Sequence, residues 1–250
     1  MNRIWKDKLY IHFLMEATGL GIFMISAGFF TILLFHPHFQ KIYMVPSPLL
    51  RQVIIGCIMG STAFFIITNS WISRSGAHIN PAVTLTFLYL GRISVLESIG
   101  YIISQFIGGT LGLYLLDLIM HPYLSANEIK YIVTVPGTVG PIWAAILETC
   151  IAIIMMFTVL YLGKGDKTRK WTPYFVGLLV SLYAAFESPY SGFGMNPART
   201  FASAFLSGIW THYEIYLLCP CLGMFLSAYF FKEHPFHPHA GMGKPNHKKL

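Results

Sequence analysis

Two short stretches decide the architecture of this chain: Gly76-Ala77-His78-Ile79-Asn80-Pro81-Ala82 and Gly192-Phe193-Gly194-Met195-Asn196-Pro197-Ala198. Both read Gly-x-x-x-Asn-Pro-Ala, and their asparagines lie 116 residues apart. Asn is a favoured helix N-cap and Pro a favoured first helical residue, so each stretch reads as the start of a helix. The helices they start are short. The apolar runs at about 80–90 and 196–206, at ~1.5 Å rise per residue, cover only about half the hydrocarbon thickness of a bilayer.

Six longer apolar segments surround them, at about 11–34, 50–70, 95–119, 141–162, 173–188 and 213–231. Composition agrees: 55% of the 250 residues are hydrophobic and 11% are charged, where a soluble domain carries about 25% charged residues. The run at 11–34 comes after basic residues, as in a signal peptide. It is too long for that and lacks a small-residue cleavage site, so it reads as the first span.

The two halves of the chain match each other. Glu16 in the first span pairs with Glu148 in the fourth, and Gln105-x-x-Gly108 in the third with Pro220-x-x-Gly223 in the sixth. Each half then holds three spans and one half-span. An odd number of spans places the second half upside down relative to the first. Inverted repeats with broken helices are a transport architecture, with the site near the membrane midplane. The expected organisation is an N-terminal segment at 1–10, a first repeat at 11–120 with its half-helix at 80–90, and a connecting loop at 121–140. A second repeat at 141–232 with its half-helix at 196–206 and a tail at 233–250 complete it.

The formal charge of +7 raises the question of nucleic acid, but its distribution argues for a membrane. Arg3, Lys6, Lys8, Arg74, Arg92, Lys164, Lys167, Arg169, Lys170, Lys232, Lys244, Lys248 and Lys249 fall on one side of the expected spans. Lys41, Arg51 and Lys130 fall on the other, and Arg199 lies at membrane depth. That asymmetry puts both termini in the cytoplasm, with the chain in a plasma membrane or a bacterial inner membrane. Cys57, Cys150, Cys219 and Cys221 all sit in apolar stretches. Their spacing suits neither a disulfide framework nor a zinc site, so they read as free thiols in packed helices. The tail, with His234, His237, His239 and His247, reads as solvated rather than metal-binding.

If each half-helix dips in from its own face, the two N-termini meet at the membrane centre. Irregular backbone at that depth is tolerated only where it is buried or lines a polar cavity. Gly76, Ala77, His78 and Ile79, with Gly192, Gly194 and Met195, would then present a file of carbonyl acceptors. The Asn80 and Asn196 amides would donate to passing solutes. Two helix N-termini contribute roughly +0.5 elementary charge each, which opposes cations and protons.

Two such motifs in inverted halves resemble the aquaporin and glycerol-facilitator family, the major intrinsic proteins, over nearly all of residues 10–232. The resemblance implies an all-α membrane protein of six spans and two re-entrant half-helices, one pore per subunit, and a homotetramer in the lipid bilayer. It implies a passive channel for water and small uncharged solutes, with no cofactor, no metal and no catalytic residue. Asn80, Pro81, Ala82, Asn196, Pro197 and Ala198 would form the central constriction.

A second, selective constriction is implied at Phe193 and Arg199, at Gly60, twenty residues before Asn80, and at Ala184, twelve before Asn196. A cation at membrane depth costs about 2.5–3.5 kcal/mol, so Arg199 needs a functional reason or an ionic partner. Gly56-x-x-x-Gly60 reads equally as a helix-packing face, as does Gly108-x-x-x-Gly112. Hydrogen and methyl at Gly60 and Ala184, where water-selective relatives carry bulky side chains, imply a wide filter suited to glycerol, urea or neutral metalloid acids. Thr200 and Ala204 depart from the glycerol-conducting pattern, so a strictly water-selective channel stays open, as does a non-conducting structural member of the fold.

Glu16 and Glu148 are expected to brace the re-entrant loops by accepting hydrogen bonds; a proton relay is the sharper alternative. His78 is expected to brace its loop and line the cytoplasmic vestibule. A coupled transporter would require further ionisable groups near the midplane. An enzyme would require a nucleophile–base pair, a metal constellation or a nucleotide loop, and the sequence carries none of these.

Overall fold

The computed structural model describes residues 3–43 and 45–233. Of the expected tail at 233–250, residues 234–250, with the four histidines, lie outside the described residues. All regular structure among the described residues is helical. The long helices are α1 (Arg3–Phe35), α2 (Pro48–Thr68), α4 (Val95–Leu124), α5 (Gly140–Lys164) and α8 (Tyr213–Glu233). Two short helices, α3 (Pro81–Tyr89) and α7 (Pro197–Ser207), begin at the two Asn-Pro-Ala motifs.

Among the described residues, five helices are long and apolar enough to cross a membrane. The expected fifth span, at 173–188, is present but segmented. Helix α6 (Thr172–Leu182) runs through a π turn (Tyr183–Glu187) into a final turn (Ser188–Ser191). The local cause is Pro189, which has no N–H to donate back along the helix. The third span is interrupted near its expected end of about 119 and then continues. Helical backbone breaks at Met120 (φ −125°, ψ 26°), two residues before Pro122, and resumes to Leu124.

Helix ends obey local chemistry. Ser47 caps α2 by accepting from the Leu50 N–H, with Pro48 as first helical residue. Ser94 and Glu97 form a reciprocal capping box on α4, so two of the N–H groups left over at that end are satisfied. The outer faces stay apolar. On α4, Ile99, Ile103, Ile107, Leu111, Leu115 and Leu118 are all exposed at nearly every fourth position. A continuous apolar stripe on an outer helix face belongs against lipid. Cys57, Cys150, Cys219 and Cys221 are all free thiols, as expected, with Cys57 and Cys150 exposed on their helices.

Packing pairs the two halves. α1 lies on α4, and α5 lies on α8. At the first seam, a Cβ on Gly108 would overlap the Ala17 backbone; at the second, one on Gly223 would overlap the Thr149 carbonyl. Close backbone approach matters here because lipid supplies no hydrophobic drive between helices and van der Waals contact must hold them. The half-helices are exchanged: α3 packs against α8, and α7 against α4. Each half thus inserts its half-helix against the last span of the other half. This brings both Asn-Pro-Ala ends into the interior, beside buried Met59, Met155, Met195 and Met224.

Candidate functional site

The site is built from the two helix starts. Asn80 Oδ1 accepts from the Ala82 N–H at 2.9 Å, and Asn196 Oδ1 accepts from Ala198 and Arg199 N–H at 3.1 and 3.3 Å. Each side chain therefore caps its own half-helix. Its Nδ2 then crosses to the other loop: Asn80 donates to the Met195 carbonyl at 2.9 Å, and Asn196 to the Ile79 carbonyl at 2.8 Å. A carboxamide has two N–H donors, so one on each Asn is spent on this brace and one is left over. Pro81, Ala82, Pro197 and Ala198 are buried and lie behind the asparagines rather than on the cavity wall.

The loops leading to the caps have matching backbones. Gly76 and Gly192 have φ of 94° and 96°, Ala77 and Phe193 of 48° and 50°, and Ile79 and Met195 of 41° and 46°. Glycine is needed at the first pair, where the chain leaves a preceding turn in the left-handed region. The four non-glycine residues each sit in a conformation costing roughly 1–2 kcal/mol. Strain of this kind persists only where the surroundings over-determine it.

Two carboxylates over-determine it. Glu16 Oε1 accepts from Ser75 Oγ at 2.6 Å and His78 N–H at 3.0 Å. Its Oε2 accepts from Ile79 N–H at 2.6 Å and Gln105 Nε2 at 2.8 Å. Glu148 repeats the pattern: Oε1 accepts from Ser191 Oγ and Gly194 N–H, and Oε2 from Met195 N–H, each at 2.7 Å. Both carboxylates are fully buried. These bonds use the loop N–H groups, while the Ile79 and Met195 carbonyls take the crossed asparagine amides.

Reading the sequence missed several members of this frame. Tyr101 donates its hydroxyl to the Ser75 carbonyl at 2.7 Å, and Tyr216 to the Ser191 carbonyl at 2.5 Å. Ser75 and Ser191 are 116 residues apart, and Tyr101 and Tyr216 are 115 apart. The repeat interval was the signal that could have found them. One difference between the halves lies at Gln105. Gln105 Nε2 also donates to Thr84 Oγ1 at 3.0 Å. Pro220 holds the corresponding place in the second half and offers no donor, and the buried Thr200 hydroxyl there has no partner. The His78 ring is held by Thr84 Oγ1, 3.2 Å from Nδ1, and by the Phe87 and Tyr101 rings, with centroids 4.7 and 5.3 Å away.

A cavity of about 600 Å³ runs past both motifs. Gly76, Ala77, His78, Ile79, Gly192, Gly194 and Met195 line it, together with Asn80 and Asn196. The lining also has an apolar part that includes Phe23, Ala27, Met155, Val159 and Val180. Ala184, Phe193 and Arg199 line the cavity at the Arg199 end. One guanidinium nitrogen of Arg199, Nη1, is buried without a partner. Among the described residues no carboxylate lies within ion-pairing distance of it.

Gly60 is the exception among the expected filter residues. It lies on the seam between α2 and α6, where a Cβ would overlap the Ser181 hydroxyl and the Gly177 carbonyl. The helix-packing reading of Gly56-x-x-x-Gly60 describes its position. The cavity face of α2 instead carries Gln52, Ile55, Met59 and Ala63. Successive helical residues turn by about 100°. Counting back from Asn80 thus missed the lumen by one residue, and Met59 stands where hydrogen was expected.

The family model described as Major intrinsic protein matches residues 7–231. A probable aquaporin TIP4-1 of Oryza sativa subsp. japonica is 32% identical over 151 residues, 60% of this chain and 58% of that protein. Aquaporin-4 of Bos taurus is 31% identical over 166 residues, 66% of this chain and 50% of that protein. The aligned region thus spans between half and two thirds of the length of these relatives. Among solved structures, the aquaglyceroporin from Plasmodium falciparum superposes with a TM-score of 0.78 at 19% identity, covering 91% of this chain and 97% of that one.

Proposed function

The chain belongs to the major intrinsic protein family, and on that basis we propose that it is a passive membrane channel for water and small uncharged solutes. The observation that carries the reading is the crossed bracing of the loops by Asn80 and Asn196, beside the cavity that both residues line. Each amide is held by the opposite loop, with one donor to spare beside a row of carbonyl acceptors. A polar neutral molecule moving along that row exchanges hydrogen bonds with water for bonds to fixed groups. An ion would lose its hydration against an apolar wall, two helix N-termini and the Arg199 guanidinium.

Ala184 leaves the filter open on the α6 side, Phe193 supplies an apolar wall and Arg199 a donor. Met59, long and flexible, narrows the α2 side more than glycine would. This combination favours solutes of glycerol or urea size over large metalloid acids. The spans cross a bilayer with both termini on the side rich in Lys and Arg, and four copies assemble, each with its own pore. These are the arrangements that the family resemblance and the charge asymmetry support.

The test is stopped-flow light scattering on proteoliposomes of the purified chain against empty liposomes, with water, glycerol and urea gradients. Accelerated flux of water and at least one of the two solutes is the expected result. Acceleration of water alone would make this a water-selective channel. No acceleration in folded protein would remove the channel reading and favour a structural role.

A further inference from the structure

Pro189 has a consequence for the cavity. In the π turn, the Ser188 N–H bonds to the Tyr183 carbonyl. The Ala184 carbonyl thereby loses the donor an α-helix would give it. The next candidate, residue 189, is proline and has no N–H. This carbonyl, at a residue that lines the cavity, is satisfied by side chains instead. Ser188 Oγ donates to it at 2.9 Å and Gln52 Nε2 at 3.2 Å. Gln52 Nε2 also donates to Ser188 Oγ at 2.7 Å.

Both amide hydrogens of Gln52 are therefore committed. The orientation of the amide is dictated by chemistry, because a carbonyl oxygen only accepts and Nε2 must face it. The remaining atom, Oε1, accepts no hydrogen bond from the protein among the described residues, and Gln52 lines the cavity. A residue of α2 that lines the cavity thus carries an oriented, unused acceptor, in the same cavity as the unpartnered Arg199 donor.

We propose that Gln52 is a specificity-determining residue of this pore, its Oε1 accepting a hydrogen bond from hydroxyl- or amide-bearing neutral solutes as they pass Ala184. The proposal rests on the channel reading above. A solute with several donors, such as glycerol or urea, must shed more of its hydration than water does at a narrow point. An acceptor already oriented offsets part of that loss without being reorganised.

The experiment compares the parent chain with Gln52→Met and Ser188→Ala in proteoliposomes, measuring water, glycerol and urea permeability on the same preparations. Gln52→Met keeps the length and removes the acceptor. The ratio of glycerol or urea permeability to water permeability should fall about fivefold, the worth of one ordinary hydrogen bond. Ser188→Ala leaves Oε1 in place but frees one amide hydrogen, so the ratio should fall by a smaller factor. An unchanged ratio in Gln52→Met, or water and solute falling in equal proportion, overturns the proposal while leaving the channel intact. If Gln52→Met fails to fold, Ser188→Ala decides alone: an unchanged ratio overturns the proposal. A parent that conducts water but neither solute also overturns it. A parent that conducts nothing removes the channel reading and the proposal with it.

Discussion

Asn80 and Asn196 hold each other's loops: each donates its amide to the carbonyl immediately before the other, at 2.9 and 2.8 Å. Each also caps its own half-helix. One side chain thus does local and long-range work at once, and removing it breaks both.

Asn80→Ala should lose a cap worth about 1 kcal/mol and the bond to Met195, leaving that carbonyl without its donor at a further cost of about 1–2 kcal/mol. Thermal unfolding in detergent should shift downward by several degrees, with a parallel drop in water permeability. An unchanged midpoint would mean that the cross-loop bond carries no stability. Asn196→Ala should behave alike, because its partner Ile79 is placed in the same way.

Glu16 meets four donors and Glu148 three. A glutamine at either site would turn an NH2 toward a backbone N–H. The expected loss is about 2–3 kcal/mol, the range for leaving a buried polar group unsatisfied. Glu16→Gln should cost more than Glu148→Gln because each of its oxygens takes two bonds. Scanning fluorimetry of the two variants side by side gives the order, and the reverse order would contradict this account of the braces.

Gly60 and Met59 separate packing from selectivity. Gly60→Ala should destabilise the α2–α6 seam by about 1–3 kcal/mol, as overpacking does, and leave the glycerol-to-water permeability ratio as it was. Met59→Ala should raise that ratio by widening the lumen. A Gly60→Ala variant with normal stability and altered selectivity would return Gly60 to the filter.

Arg199→Val should admit cations. A unit charge about 8 Å from a passing ion, at an effective dielectric of about 20, raises its energy by ~2 kcal/mol. Its removal should increase sodium or proton conductance roughly thirtyfold, by the usual tenfold per ~1.4 kcal/mol. Proteoliposomes loaded with a pH-sensitive dye and clamped with valinomycin would register the leak. A variant as cation-tight as the parent would assign the barrier to the helix N-termini alone.

Features that depend on neighbours along the chain were legible before any fold was known. Span length comes from apolar runs and helix starts from Asn-Pro. These are short-range or additive properties, and the half-helices at Pro81–Tyr89 and Pro197–Ser207 lie within a residue of where the caps put them. The internal repeat also located Glu16 and Glu148, whose bonds the fold then completed.

Which face of a span meets the cavity is settled only by packing. A position counted through a turn into a helix carries an uncertainty of a residue, and one residue is about 100° of rotation. Met59 and Gly60 differ by that rotation, the first on the cavity wall and the second on the seam with α6. Gln52 depends on it still more. Its role arises because Pro189, 137 residues away in sequence, leaves the Ala184 carbonyl without a backbone donor. Only the packing of α2 on α6 brings an amide close enough to supply one.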